Sequence, residues 1–193
     1  GILPDNYVRK RMQEGRNIYR DLIDFAADLK APVSLDISNE LLFQLGRIRP
    51  DSFSMLKDAY TAGLIYPLYT MAHHTHICMM NEDEIEEEIR LNEEFIHDIV
   101  GAPRPKYRGL FFTECSIDES KLKAAKKTNI DYVIFSHLTE EKADYKYSEG
   151  CTIDDYIFKP FRLKHDIIGL PRNFPVSQEI WKPITRLHPD KLT

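Results

Sequence analysis

Apolar residues at Ile18, Leu22, Phe25, Ala26 and Leu29 recur at helical spacing and predict a helix within about residues 6–30. Pro32 ends it, and Val33-Ser34-Leu35-Asp36-Ile37 reads as a short strand. Two more helices are predicted, from Asn39 to Leu45 and from Pro50 to Ala62, closed by Gly46 and Gly63. The stretch from Leu64 to Thr70 is strand-like despite Pro67, which removes a ladder donor. Glu82 to Val100 is the clearest helix: acidic residues crowd its start, Ile85, Ile89, Ile96 and Ile99 mark one face, and Gly101 closes it. Lys106 to Thr113 is the next strand, and Ser116 and Glu119 have the spacing of a capping box that opens a helix to about Thr128. Asp131 to Ser136 reads as a buried strand, residues 144–155 as a loop or hairpin, Phe158 to Leu163 and Ile167 to Leu170 as short strands, and Val176 to Trp181 as a helical turn.

Strands alternating with helices in this rhythm predict βα units and a parallel sheet. Functional groups in such sheets gather at the C-terminal ends of the strands. That rule points to Asp36–Asn39, Thr70–His76, Thr113–Ser116 and Ser136-His137.

Composition narrows the class. A chain of 193 residues fits one domain or part of one, here taken as a single unit over 1–193. With 42% hydrophobic and 30% charged residues it reads as an ordinary globular chain. The net charge of −5 argues against nucleic acid, because the one basic cluster, Arg9-Lys10-Arg11, reads as a solvated helix face. The three cysteines, Cys78, Cys115 and Cys151, have neither disulfide-framework nor metal spacing, which points to a reducing, cytoplasmic setting. No apolar run reaches the roughly 20 residues of a membrane span. A start at Gly1 without Met reads as a segment of something longer.

Three places carry candidate chemistry. Glu114 follows the strand Gly109-Leu110-Phe111-Phe112, where a rigid support can hold a carboxylate as nucleophile or base; the alternative is a solvated loop residue. The run His73-His74-Thr75-His76 could bind a metal, or line or underlie a sugar pocket, and it matches no known ligand spacing. Asp36 could hydrogen-bond substrate or act as a local cap. His137 shares that ambiguity, whereas His97, His165 and His188 read as surface or packing residues and Cys115 as a buried, inert thiol.

Gly109-Leu110-Phe111-Phe112-Thr113-Glu114-Cys115 resembles the Gly-x-Trp-x-x-Glu motif of glycoside hydrolase family 57, with Phe111 in place of the usual Trp. The segment from Lys121 to Ser136 is similar to the family's following helix and strand, and His74 to the histidine of a His-Pro-Ile-Leu-Pro-Leu type segment. Arg172-Asn173, Ser177-x-x-Ile180-Trp181 and Pro189-Asp190 continue the likeness in family order, over about residues 30–190. The resemblance implies an incomplete (β/α)7-type TIM-like barrel of the glycoside hydrolase/deacetylase superfamily, partial in this chain. It also implies retaining hydrolysis or transfer at an α-glucan bond, with Glu114 as nucleophile and no cofactor. On that reading the partner is an oligo- or polysaccharide. His74, His76 and Asp36 would hold sugar hydroxyls or tune the carboxylate, Phe111 and Phe112 would pack under the site, and Tyr69 would stack on a sugar ring.

The departures are specific. The family's His-Gln-Pro-His strand would precede this chain, Tyr66 stands near the position of a motif glutamate, and the general-acid Asp would lie further along. Retention needs two carboxyl groups about 5 Å apart, and neither Asp166 nor Asp190 matches the acid's position. Two alternatives therefore stand beside the glycosidase. One is a metal-dependent polysaccharide deacetylase, to which His73–Gly101 and Arg104-Pro105-Lys106-Tyr107-Arg108 are also similar. The other is a non-catalytic sugar-binding or assembly domain that keeps the barrel.

Overall fold

The structure is a computed structural model and describes residues 18–115, 117, 119–136 and 160–172. In chain order it contains α1 (Ile18–Leu29), β1 (Val33–Asp36), α2 (Asn39–Ile48), α3 (Pro50–Thr61), β2 (Ile65–Leu68), α4 (Glu82–Glu94), β3 (Gly109–Phe111), α5 (Leu122–Lys127), β4 (Tyr132–Ser136), β5 (Phe161–Arg162) and β6 (Ile168–Arg172). The expected elements over 144–155 and 176–181, and the Ser116 cap, lie outside the described residues.

β1 pairs with β2 in parallel, and β3, β4 and β6 form a second parallel set. A parallel bridge between Tyr69 and Leu110 joins the two, so five strands run side by side in the order β1-β2-β3-β4-β6. Among the described strands only β5, antiparallel to β6, breaks the rhythm. The result is the α/β arc of a partial barrel.

The two faces of the arc differ as period-2 alternation requires. Ile65, Leu110, Phe112, Val133 and Phe135 are buried on the helix-covered face. Ser34 and Tyr66 are exposed, and Phe111, Tyr132, Ile134, Ile168 and Leu170 half-buried, on the other. Across that inner face the hydroxyls of Tyr132 on β4 and Ser34 on β1 share a hydrogen bond. Gly109 makes room for the ring between them, because a Cβ there would lie 2.2 Å from Tyr132 Cζ.

Two local readings change. Gly46 does not end α2, which runs on to Ile48. A Cβ at this glycine would lie 3.8 Å from the Phe53 ring, and the stop comes at Arg49, the residue before Pro50, where helical backbone is disfavoured. Pro67, expected to weaken a strand, is accommodated in β2. Tyr69 N donates to Gly109 O, so Pro67, two residues earlier, turns its missing donor toward β3 before that pairing begins.

α4 starts on a full capping box, with Asn81 Oδ1 accepting from Glu84 N and Glu84 Oε2 accepting from Asn81 N. It passes into a π-helical turn at Phe95–Val100 and ends on Gly101 at φ 79°, the left-handed stop that glycine supplies. Among the described residues no helix is long and apolar enough to cross a membrane.

Candidate active site

The C-terminal rim of the arc carries Asp36, the Thr70–His76 loop and Glu114, as strand-end placement predicts. Glu114 is exposed and lies in a tight turn after β3. It has φ 61°, and its neighbour Cys115 has φ 52°. Two consecutive non-glycine residues in this region cost about 1 kcal/mol or more each, so their surroundings must hold them. Cys115 N donates to Phe112 O at 2.9 Å and closes the turn. Phe112 is fully buried beneath it. Thr113 Oγ1 donates to Thr75 O at 3.0 Å, fastening the Glu114 turn to the histidine loop. Arg172, the last residue of β6, donates from Nη1 to Cys115 Sγ at 3.4 Å.

Asp36 and His74 line one cleft of about 420 Å³ with Ile37, Ser38, Glu40, Leu41, Gln44 and His73. Burial pushes the Asp36 carboxyl above its ordinary value, opposed by its own backbone amide and by His74. Its charge is felt by two tyrosines: burial and then Asp36 push Tyr19 up to about 12, and the same causes raise the fully buried Tyr60. His74 is exposed at φ 52°.

The other histidines diverge. His73 Nδ1 lies 2.5 Å from Glu88 Oε1 and His73 N donates to Glu88 Oε2 at 2.8 Å, while Nε2 is 3.8 Å from Glu40 Oε1. The bond to Glu88 raises its pKa, against partial desolvation and aided by the charges of Glu88 and Glu40. His76 Nδ1 accepts from Cys78 N at 3.4 Å and caps the turn Ile77–Met79. Among the described residues no group of three His, Cys, Asp or Glu side chains converges as a metal site would require.

Tyr69 corrects the sequence reading. Its ring is fully buried, its hydroxyl lies 2.7 Å from His97 Nε2, and Arg108 stacks over it at 5.2 Å. A ring so enclosed has no face for a sugar, and burial pushes its pKa up to about 12. Phe112 is likewise a support with no surface to offer a ligand. His97 packs as expected, with Nδ1 2.7 Å from Ala102 O. His137, Cys151, the Arg9-Lys10-Arg11 cluster and everything from Asn173 onward lie outside the described residues.

Sequence reasoning missed Asn92. It is fully buried, accepts from Thr70 N at 3.1 Å, and donates to Ile37 O and Asn39 Oδ1 at 3.1 and 2.9 Å. Its signal was present: 92 falls on the stripe 85, 89, 96 at helical spacing, and a polar residue on an apolar stripe needs buried partners.

The model of Glycosyl hydrolase family 57 matches residues 5–181. The chain belongs to this family. The solved structures agree in fold. A 4-alpha-glucanotransferase from Thermococcus litoralis superposes with a TM-score of 0.69 at 16% identity, covering 88% of this chain and 26% of that one. An exo-type maltose-forming amylase from a Pyrococcus species gives 0.64 at 14% identity, over 86% and 28%, and an alpha-amylase from Thermotoga maritima gives 0.52 at 14%, over 92% and 31%. The chain thus spans between a quarter and a third of these family 57 structures. No curated protein sequence matches it.

Proposed function

We propose that this chain is part of an enzyme that hydrolyses or transfers α-glucan glycosidic bonds with retention, and that Glu114 is its nucleophile. The observation that carries the reading is the Glu114 turn, an exposed carboxylate at a strand end held in left-handed backbone by buried Phe112 and a bond to the histidine loop. Left-handed backbone occurs at other residues, Asp166 among them; at Glu114 it coincides with a strand end in the motif of this family, where geometry matters to chemistry. The similar structures named above are described as a 4-alpha-glucanotransferase, an alpha-amylase and a maltose-forming amylase, which supports an α-glucan substrate here.

In this mechanism a Glu114 carboxylate oxygen bonds to the anomeric carbon as the bond to the leaving oxygen breaks. A second carboxyl group, supplied from elsewhere in the protein, gives that oxygen its proton. The resulting β-linked glycosyl ester is then opened by water, or by a sugar hydroxyl in transfer, which returns the α configuration. Asp36 and His74, facing one cleft, hold sugar hydroxyls; Asp36 accepts hydrogen bonds, and His74 donates or accepts according to its tautomer.

The test is product analysis of full-length protein, wild type and Glu114→Ala, on labelled α-1,4-linked oligosaccharides, with anomers read by NMR. Turnover giving the α anomer first, and falling by about 10³-fold or more in the variant, is expected. Inversion, or an active Glu114→Ala, would overturn the assignment.

A further inference from the structure

The register of the inner face sets Arg172 level with the Glu114 turn. Phe111 pairs with Ile134, and Ile134 with Leu170. Two residues further on, Ser136 at the end of β4 pairs with Arg172 at the end of β6, while β3 has already given way to the Thr113–Cys115 turn. From there the guanidinium reaches past β4 to Cys115 Sγ. That sulfur belongs to the residue next to Glu114, and it is almost wholly buried.

We infer that Arg172 is a positioning residue for Glu114, acting through the Cys115 sulfur; the inference rests on the nucleophile reading above. The turn has two left-handed residues in succession, and such backbone relaxes toward ordinary conformations unless the fold opposes it. Phe112 O and Thr75 O anchor the turn at its start and middle. The bond from Arg172 anchors its far end, at Cys115, and ties it to a different strand. A guanidinium suits this task because its donors are held in a rigid plane and its charge strengthens a bond to a weak sulfur acceptor. With that anchor gone, Glu114 swings about its own φ and ψ, and a displacement near 1 Å in a reacting atom costs on the order of 100-fold in rate.

The experiment uses full-length protein and an aryl α-maltooligoside, whose leaving group needs little acid assistance. Arg172→Met should lower kcat by about 10- to 100-fold with KM within about threefold, and the thermal midpoint should stay near that of wild type. Arg172→Lys should recover part of the loss. Cys115→Ala should reproduce the Arg172→Met defect, Cys115→Ser should be milder, and Arg172→Met/Cys115→Ala should be no worse than either single change. A rise in KM at constant kcat would make Arg172 a substrate contact and overturn the inference. So would a normal kcat in Cys115→Ala. Glu114→Gly with azide runs in parallel: if it is inactive and azide restores turnover as a β-glycosyl azide, the nucleophile stands whatever Arg172 does. If Glu114→Gly turns over like wild type, both readings fall together.

Discussion

Asn92 Nδ2 lies 3.1 Å from the carbonyl oxygen of Ile37, so a helix four elements further along the chain fixes the rim of the first strand. The same amide accepts from Thr70 N, which makes one buried side chain the clamp between the ends of β1 and β2. Those ends carry Asp36 and the histidine loop. The site's floor is therefore set from α4 inward.

Both N–H donors of Asn92 are used, by Ile37 O and Asn39 Oδ1, and its oxygen accepts from Thr70 N. Asn92→Leu leaves those groups buried and unpaired and should destabilise the protein by about 3 kcal/mol, read as a lower midpoint in urea at unchanged slope. Asn92→Asp is nearly isosteric, yet it turns an acceptor toward Ile37 O and Asn39 Oδ1. It should be at least as destabilised at pH 7, and equality with wild type would show that the amide is only filling space.

Gly109 is required by a ring and not by its backbone angles. A Cβ would sit 2.2 Å from Tyr132 Cζ and 2.4 Å from its hydroxyl oxygen, and that hydroxyl is hydrogen-bonded to Ser34. Gly109→Ala should cost about 2 kcal/mol by overpacking. In a Tyr132→Ala background the same change should cost at least about 1 kcal/mol less. Additive effects in thermal or urea unfolding would locate the clash elsewhere.

What the sequence makes legible, and what it hides, follows from how local each signal is. The helix at Glu82 and its Gly101 stop announce themselves through charge placement and one glycine, and the strand ends follow from the alternation of elements. Glu114 stands out as a candidate because a strand visibly runs out beneath it, and a family motif surrounds it. Tyr69 misleads because it too stands near a strand end, while alternation alone does not say which face is covered; its hydroxyl has a partner 28 residues away in His97. Asn92 and Arg172 do their work across 55 and 57 residues of sequence. Spacing along one element cannot show such pairs, and only the polar residue on an apolar stripe hinted at the first.

The His73–Glu88 pair makes stability depend on pH in a defined direction. The folded-state pKa of His73 is raised, chiefly by its bond to Glu88. The stabilisation is thus fully present below the ordinary histidine value of about 6.5 and is lost as pH rises through the raised value. The ring is more than half exposed, so solvent keeps the effect small. The difference in thermal midpoint between wild type and His73→Gln should be largest near pH 5–6 and shrink toward pH 9. A constant or widening gap would mean that neutral packing, not the charged pair, holds the loop to α4.

Asp36 runs the other way and separates stability from function. Burial raises its folded-state pKa above 3.8, so the folded protein binds that proton more tightly than the unfolded chain does. Stability therefore falls as pH climbs through this interval and stays lower above it, the whole cost being present at pH 7. Asp36→Asn removes the charge but keeps an oxygen that can accept from the residue-36 amide. It should raise the thermal midpoint at pH 7 by a few degrees at most, and the gain should vanish below about pH 3.9, where both side chains are neutral. If Asp36 accepts hydrogen bonds from sugar hydroxyls in the cleft it shares with His74, the same change should raise KM for oligosaccharide. A variant that is more stable and binds less well has lost a group kept for its ligand. One that gains stability at no cost in binding would leave Asp36 without a role in recognition.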